Sequence, residues 1–139
     1  MTLDCRPATA ADALLLADLN RQLIEDEGHR NPMNLAELTT RMQTWLAGPY
    51  RAVIFAQEGE PVAYALYRPE GDGIYLRQFF VARPFRRRGI GRQAMQRLIN
   101  QIWPPQARIS VEVLLNNPTG LAFWQAVGFQ PYAITLARG

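Results

Sequence analysis

Five of the fifteen arginines lie within ten residues, from Arg83 to Arg92, and the end of this run contains Gly89 and Gly91. The run follows a β-rich segment and precedes an amphipathic one, which predicts a turn between a strand and a helix. A glycine-rich turn at a helix start exposes backbone N–H groups, and the helix dipole adds partial positive charge. The stretch is therefore a candidate phosphate-binding turn. The alternative is a solvated basic surface whose helix start merely needs glycine.

The charges of the chain are unevenly divided between its halves. Residues 1–72 contain six arginines and eleven carboxylates, a balance of −5, whereas residues 73–139 contain nine arginines and one carboxylate, a balance of +8. Such segregation indicates a C-terminal half that meets an anion and an N-terminal half that tolerates or attracts a cation. Glu112 is the only carboxylate of the basic half.

Two kinds of anionic partner fit the arginines poorly. A nucleic acid would suit the charge, but the chain has no recognition motif and its acidic half would repel a long polyanion, so we expect no nucleic-acid partner. A dinucleotide is suggested by "GIGRQA", which matches G-x-G-x-x-A. That fingerprint needs glycine directly after the strand, whereas seven residues separate Val81 from Gly89.

Length and composition set further bounds. The 139 residues suit one domain spanning 1–139, and no apolar run approaches the roughly 18 residues that a membrane span needs. The first residues have no signal-peptide pattern, so we expect a cytoplasmic protein without a membrane partner. Cys5 is the only cysteine, which excludes an internal disulfide and a cysteine-based zinc cluster. We expect no metal.

Hydrophobic periodicity and capping residues predict the order β-α-α-β-β-β-α-β-α-β. The predicted elements are a strand at 3–6, helices after Thr9 and Asn34, strands at 51–57, 62–67 and 74–81, a helix from Ile90 to Ile102, a strand at 108–115, a helix after Asn117 and a final strand at 132–137. The strands at 74–81 and 108–115 flank one crossover helix and should be parallel neighbours. The fold class is α/β or α+β with a mixed sheet.

Two separated blocks carry a family resemblance. In the first, Arg86, Gly89 and Gly91 are spaced R-x-x-G-x-G between a strand and a helix. In the second, "NPTGLAFWQAVGF", an asparagine precedes a helix that bears aromatic residues and ends in Gly-Phe. Both blocks resemble the GNAT superfamily of acetyl-CoA-dependent N-acetyltransferases. The resemblance is strong over residues 62–129 and weaker, though compatible, before them.

The resemblance implies a mixed, mostly antiparallel, splayed central sheet flanked by about four helices. It implies an N-acetyltransferase that moves the acetyl group of acetyl-CoA to a primary amine by direct attack on the thioester. The acceptor would be a small-molecule amine or a peptide amine. The residues implied in cofactor binding are Phe79, Phe80 and Val81 for the pantetheine arm, Arg86, Arg87, Arg88, Gly89, Ile90, Gly91 and Arg92 for the phosphates, and Asn117, Phe123 and Trp124 from the second block.

The resemblance also implies a catalytic base. Gln78 stands where many members have an acidic residue and cannot accept a proton, but other members use a glutamate five residues before the motif asparagine, and Glu112 occupies that position. The alternative for Glu112 is an ion pair with an arginine such as Arg77 or Arg108.

By the same resemblance, Trp124 stands where members that use an acid for the leaving thiolate often have tyrosine, and indole cannot supply that proton. Another group such as Tyr132 or a water would do so, or the thiolate would leave unassisted. Core packing is an alternative role for Trp124, and helix capping explains Asn117 without a cofactor.

The acceptor side is less clearly specified. Glu25, Asp26 and Glu27 either attract a cationic amine or are simply solvated, and His29 is expected at the surface. Trp45, Tyr64 and Tyr67 line a pocket or belong to the core. Family members commonly finish with two strands, yet about ten residues follow Gly128. The acceptor side is therefore open or completed by a second subunit in a homodimer. The alternative function is an acyl-CoA-binding or sensing domain with little or no catalysis.

Overall fold

A computed structural model describes residues 2–28 and 31–139 of the chain. Its strands are β1 (Asp4–Pro7), β2 (Arg51–Gln57), β3 (Glu60–Glu70), β4 (Gly73–Val81) and β5 (Ile109–Val111), and its α-helices are α1 (Ala13–Asp26), α2 (Leu35–Ala47), α3 (Ile90–Arg97) and α4 (Pro118–Ala126). A π-helical turn, Leu98–Ile102, extends α3, and the prolines beyond it end the helix as predicted.

The five strands form one sheet in the order β1-β2-β3-β4-β5. The first four are antiparallel neighbours, and β4 pairs with β5 in parallel across the α3 crossover. The expected mixed, mostly antiparallel sheet with four α-helices is confirmed.

Each face of the sheet carries its own hydrophobic core. α1 and α2 cover one face, where Leu16, Met42 and Tyr64 are fully buried. α3 and α4 cover the other face, where Ile90, Leu98 and Trp124 are buried. The apolar stripes of the four helices thus place two helices on each side of the sheet.

β5 stays beside β4 for only three residues. The pairing runs from Ile74 with Ile109 to Leu76 with Val111, and β4 then continues to Val81 without a strand partner on that side among the described residues. The strand predicted at 108–115 is therefore wrong beyond Val111. Its apolar end leaves the sheet, and Leu115 is 86% exposed. The sheet is splayed at this point.

The strand predicted at 132–137 is also wrong. These residues form no strand, and Tyr132, Ile134 and Leu136 are largely exposed. The alternating pattern supplies an apolar face, but a strand also needs a neighbour for its backbone N–H and C=O groups. The free edge of β5 is only three residues long and does not provide one.

Among the described residues, no helix combines the length and the apolar character that crossing a membrane requires. The cytoplasmic location stays a prediction.

Candidate functional site

The arginine-glycine run forms the connection between β4 and α3. A 3-10 turn, Arg83–Phe85, follows β4, and Gly89 caps α3 with a φ of 75°. Arg87 also has a positive φ, 62°, which costs a residue with a side chain roughly 1–2 kcal/mol. Backbone strain of this kind is concentrated at binding and catalytic sites.

The start of α3 presents unpaired backbone donors. The N–H groups of Gly89, Ile90, Gly91 and Arg92 have no backbone acceptor among the described residues, and the first such bond here joins Gln93 N to the Gly89 carbonyl oxygen at 3.0 Å. Gly89 and Arg92 are exposed, whereas the Ile90 side chain is buried in the core. The backbone at the helix start is therefore available to an anion, while Ile90 can contribute only its amide.

A carboxylate from α1 holds the other end of this turn. Asp26 accepts hydrogen bonds from Arg83 and from Arg86, and Arg86 Nε donates to the Val81 carbonyl oxygen at 2.9 Å. Burial favours the neutral Asp26 carboxyl, but the two guanidinium groups outweigh it and hold the pKa of Asp26 below its usual range. Asp26 is therefore neither solvated nor free to attract an amine, contrary to both sequence interpretations.

Three arginines of the run are exposed and form no ion pair with any residue that the structure describes: Arg87, Arg88 and Arg92. The Arg88 guanidinium lies 5.6 Å from the centre of the Phe85 ring. These side chains leave positive charge beside the unpaired amides, as the sequence predicted.

Aromatic side chains join β4 to α4 behind the turn. Phe79 stacks on Phe123, with ring centres 6.0 Å apart, and Trp124 packs against both rings. A Cβ added to Gly91 would lie 3.0 Å from Phe123 Cε1, so this glycine permits close packing as well as backbone exposure. Trp124 is 9% exposed and belongs to the core, which agrees with its alternative role.

Asn117 caps α4. Its side-chain oxygen accepts a hydrogen bond from Gly120 N at 3.0 Å, and Pro118 occupies the first helical position. A Cβ on Gly120 would lie 2.4 Å from Asn117 Nδ2, so the cap and this glycine fit each other. The capping role is present, and any contact of Asn117 with a cofactor stays a prediction.

Glu112 lies just beyond β5, where the sheet begins to splay, and is exposed. It accepts a hydrogen bond from Tyr75 Oη at 2.5 Å and forms no ion pair with Arg77 or Arg108. Burial raises the pKa of Tyr75 to about 12, with further contributions from the hydrogen bond and charge of Glu112. The tyrosine therefore stays protonated as a donor and leaves the second carboxylate oxygen of Glu112 available.

A β-bulge turns an arginine toward the α1 and α2 face. Leu66 pairs with Gln78 but Tyr67 pairs with Leu76, so Arg77 is an extra residue in β4. Arg77 Nη1 donates to Tyr50 Oη at 3.0 Å, and the Arg77 guanidinium lies 4.7 Å from the Trp45 ring centre.

α2 contributes a second arginine to the same ring. The Arg41 guanidinium lies 4.4 Å from the Trp45 ring centre, and Arg41 Nη2 donates to Asn20 Oδ1 at 3.0 Å. The Trp45 ring thus contacts both guanidinium groups, and it packs against the core of the α1 and α2 face, in agreement with the core role considered for it. Sequence reasoning missed Arg41 and Asn20 altogether, because single polar residues on helices of unknown packing carry no motif.

Tyr64 and Tyr67, both considered for the acceptor side, pack into the cores on opposite faces of the sheet. Tyr64 is fully buried and donates to Gln78 Oε1 at 2.9 Å, so the residue in the family's acidic position is held by a hydrogen bond. Tyr67 packs edge-on against Trp103, with ring centres 5.4 Å apart, on the opposite core. Tyr67 therefore does not lie with Trp45, which packs on the α1 and α2 face.

Tyr132 lies far from the turn. Its ring is 4.2 Å from the Arg108 guanidinium, beside the Ile74 end of β4, and seven residues of strand span about 23 Å from there to Val81. The hydrogen bond and the charge of Arg108 lower the pKa of Tyr132. The structure does not bring Tyr132 to the gap between the strands, while His29 lies outside the described residues.

A cavity of about 270 Å³ lies elsewhere, between the end of β1 and the start of β2. Tyr67, considered for a pocket in the sequence analysis, lines it, but none of the predicted catalytic or cofactor-binding residues does. Within residues 2–28 and 31–139, no three His, Cys, Asp or Glu side chains are grouped to hold a metal ion. The absence of a metal in the active protein stays a prediction.

The sequence model of the acetyltransferase (GNAT) family matches residues 16–129. No curated protein matches the sequence significantly. Among solved structures, an acetyltransferase from Thermus thermophilus is 29% identical, with a TM-score of 0.78 over 94% of this chain and 88% of that one.

Two further similar structures contain ligands. A predicted acetyltransferase from Clostridium acetobutylicum with acetyl-CoA is 20% identical, with a TM-score of 0.77 over 99% of this chain and 96% of that one. The aminoglycoside N-acetyltransferase AAC(6')-Iy in complex with CoA is 18% identical, with a TM-score of 0.76 over 99% and 95%. With the family model covering most of the sequence and the splayed sheet in place, the chain belongs to the GNAT family of acetyltransferases.

Proposed function

We propose that residues 1–139 form a single-domain N-acetyltransferase that moves the acetyl group of acetyl-CoA to a primary amine. The observation that carries the proposal is the row of unpaired amides at Gly89–Arg92 beside the gap where β5 leaves β4. Family membership and the CoA ligands of similar structures support the choice of donor.

The turn binds the diphosphate of CoA through the unpaired backbone amides at Gly89–Arg92, because the Arg86 amide already donates to the Arg83 carbonyl oxygen. Arg87, Arg88 and Arg92 supply charge to the phosphates, because Arg86 is already engaged by Asp26. The unpaired edge of β4 at Phe79–Val81 offers main-chain groups to the pantetheine arm. Phe123 and Trp124 support this edge from α4 by packing on Phe79.

Glu112 is the general base in this proposal. The thioester supplies an activated acetyl group, and the enzyme must supply a neutral amine, because deprotonating a lysine-like amine at pH 7 costs roughly 4–5 kcal/mol. Glu112 lies where the gap opens, is held by Tyr75, and retains an oxygen that can accept the proton directly or through water.

No side chain is assigned as an acid for the leaving thiolate. Trp124 has no suitable proton and is buried, and Tyr132 lies at the other end of β4. A thiol with a pKa near 8.5 leaves readily as the thiolate, so its departure unassisted or with water is the simplest assignment.

A CoA-binding or sensing domain without efficient turnover is the second candidate. It is favoured by Gln78, whose amide is held by buried Tyr64, and by the buried Trp124, since neither position supplies an acid or a base. This candidate predicts CoA binding without release of free thiol.

We also propose a homodimer. The apolar side chains of Tyr132, Ile134 and Leu136 are 81%, 70% and 90% exposed, and such surfaces mark protein interaction sites. Light scattering tests this assembly directly, and a monomeric mass with full activity would exclude a requirement for a second subunit.

The experiment that tests the function is free-thiol release from acetyl-CoA with panels of polyamines, aminoglycosides, amino acids and peptides. The proposal expects amine-dependent release and formation of the N-acetylated product. Binding of CoA with no release in any panel would favour the sensing domain.

A further inference from the structure

Beside the gap, on the α1 and α2 face of the sheet, two arginines share one aromatic surface. Arg41 of α2 and Arg77 of the β4 bulge both approach Trp45, and Arg77 also contacts Tyr50. We call Arg41, Arg77, Trp45 and Tyr50 the double-arginine cluster. It brings together residues that are up to 36 positions apart in the sequence.

The cluster has a buried hydrogen-bond donor with no acceptor among the described residues. Arg41 Nε is buried and unpaired there, although Arg41 Nη2 donates to Asn20 Oδ1. A buried donor without an acceptor is destabilising, so this donor indicates a missing acceptor.

Neither arginine of the cluster forms an ion pair in the described part of the chain. Two carboxylates of the site are engaged by other groups, Asp26 by Arg83 and Arg86 and Glu112 by Tyr75. Burial lowers the pKa of the Arg41 guanidinium, and the charge of Arg77 lowers it further. Two cations held near one ring without an anion repel each other, and an anionic ligand would relieve that repulsion.

The cluster adjoins the proposed catalytic groups. Arg77 and Tyr75 lie two residues apart in β4, and Tyr75 holds Glu112. Tyr75 and Tyr50 are also connected through Arg68, whose guanidinium lies 5.2 and 5.8 Å from their ring centres. A ligand bound at the cluster would therefore sit next to the base.

We propose that the acceptor is an amine that also carries a carboxylate, and that Arg41 and Arg77 bind this carboxylate. The inference rests on the proposed acetyltransferase function and narrows its acceptor class. Planar guanidinium groups match a carboxylate through paired hydrogen bonds. A polycationic amine such as an aminoglycoside should be a poor acceptor, because both arginines repel it.

The test compares matched acceptors by free-thiol release. Each amino acid is paired with its carboxamide, and dipeptides are paired with their C-terminal amides to separate free amino acids from peptides. The carboxamide has the less basic amine, so a preference for the acid cannot arise from easier deprotonation. We expect kcat/KM to favour the acid form at least tenfold in one of the two series, and spermidine and kanamycin to rank below it.

Arg77→Gln is the principal variant, because Arg77 is exposed and its loss should leave the fold intact. We expect a KM increase of about tenfold or more for the acid form and no change for the carboxamide, with partial rescue in Arg77→Lys. Arg41→Gln should act in the same way if thermal melting shows that it folds. Arg21→Gln, on the outer surface of α1, is the matched control and should change neither KM.

Equal turnover of acid and carboxamide, or a polycation as the best acceptor, would overturn the inference while leaving the acetyltransferase function standing. Failure to bind CoA would instead contradict the proposed acetyltransferase function. If CoA binds but no acceptor turns over, calorimetry with N-acetyl amino acids shows whether a carboxylate binds at the double-arginine cluster. Binding to the CoA-loaded protein that is lost in Arg77→Gln supports the inference, and equal affinity for the acid and its amide contradicts it.

Discussion

The cofactor side and the acceptor side of the molecule are built differently. At the start of α3, the proposed binding groups are backbone amides of consecutive residues. At the double-arginine cluster, the proposed binding groups are side chains from α2 and β4 that meet only through packing. The backbone site should be most sensitive to added side-chain bulk, whereas the side-chain site should be most sensitive to the loss of a charged group.

Gly91→Val should produce the largest loss of binding, because the added side chain changes the shape of the backbone at the start of α3. The added side chain meets Phe123 at the start of α3 and covers adjacent amides, so CoA affinity should fall by about 100-fold or more in calorimetry. Gln96→Val, on the exposed side of the same helix, introduces the same residue and should leave CoA affinity unchanged. Equal CoA affinities in the two variants would contradict the assignment of the phosphate-binding turn.

Glu112→Gln should separate chemistry from cofactor binding. We expect kcat to fall by about 100-fold near neutral pH, because no general base remains, while the KM for acetyl-CoA stays the same. Tyr75→Phe removes only the hydrogen bond to Glu112 and should have a smaller effect. Turnover of Glu112→Gln at the wild-type rate would exclude Glu112 as the base.

Asp26→Asn removes the carboxylate that connects α1 to the turn after β4. Asp26 is the last residue of α1 and pairs with Arg83 and Arg86 in that turn. The pKa of this carboxyl is lowered in the folded state, so its ion pairs stabilise above the usual carboxyl pKa and this stabilisation is lost as the pH falls. At pH 7 we expect the variant to lose about 1 kcal/mol of unfolding free energy, allowing for solvent screening.

Thermal or urea unfolding as a function of pH measures this loss. The difference between Asp26→Asn and the wild type should shrink in acid. Asp18→Asn, on the exposed side of α1, is the matched control and should cost less. A difference that persists unchanged in acid would mean that the ion pairs are not its source.

Asp12→Asn should have no effect on either binding side. Arg6 binds the Asp12 carboxylate through hydrogen bonds of 2.8 and 2.9 Å and lowers its pKa to about 2, although burial opposes this. The lowered pKa stabilises the fold above pH 4 or so, and the stabilisation is lost as the pH falls toward 2. We expect a loss of about 1 kcal/mol in urea unfolding at pH 7 and unchanged CoA affinity.

The difference between a site built from consecutive residues and one built from distant side chains also explains what could be predicted from the sequence. The turn at 83–92 was predictable because strand, arginines, glycines and helix are contiguous and their spacing is a family motif. The pairing of Asp26 with Arg86 was not, since it joins residues 60 positions apart and depends on where α1 ends. Arg41 and Asn20 likewise became recognisable only when the packing of α1 and α2 was known.

The wrong strand predictions have a physical reason too. The segments 112–115 and 132–137 are rich in apolar residues and fit a strand locally, but pairing depends on partners elsewhere. β5 ends at Val111, where the sheet splays, so neither segment finds a neighbour. Periodicity reports the face of a strand and carries no information about whether an edge is available.

Isothermal titration of the folded protein with CoA tests the central assignment most directly. Binding of the diphosphate by main-chain donors at the start of α3 predicts a one-to-one complex whose affinity falls as salt is added and is about 100-fold or more lower in Gly91→Val. No heat and no detectable complex at millimolar CoA would refute it.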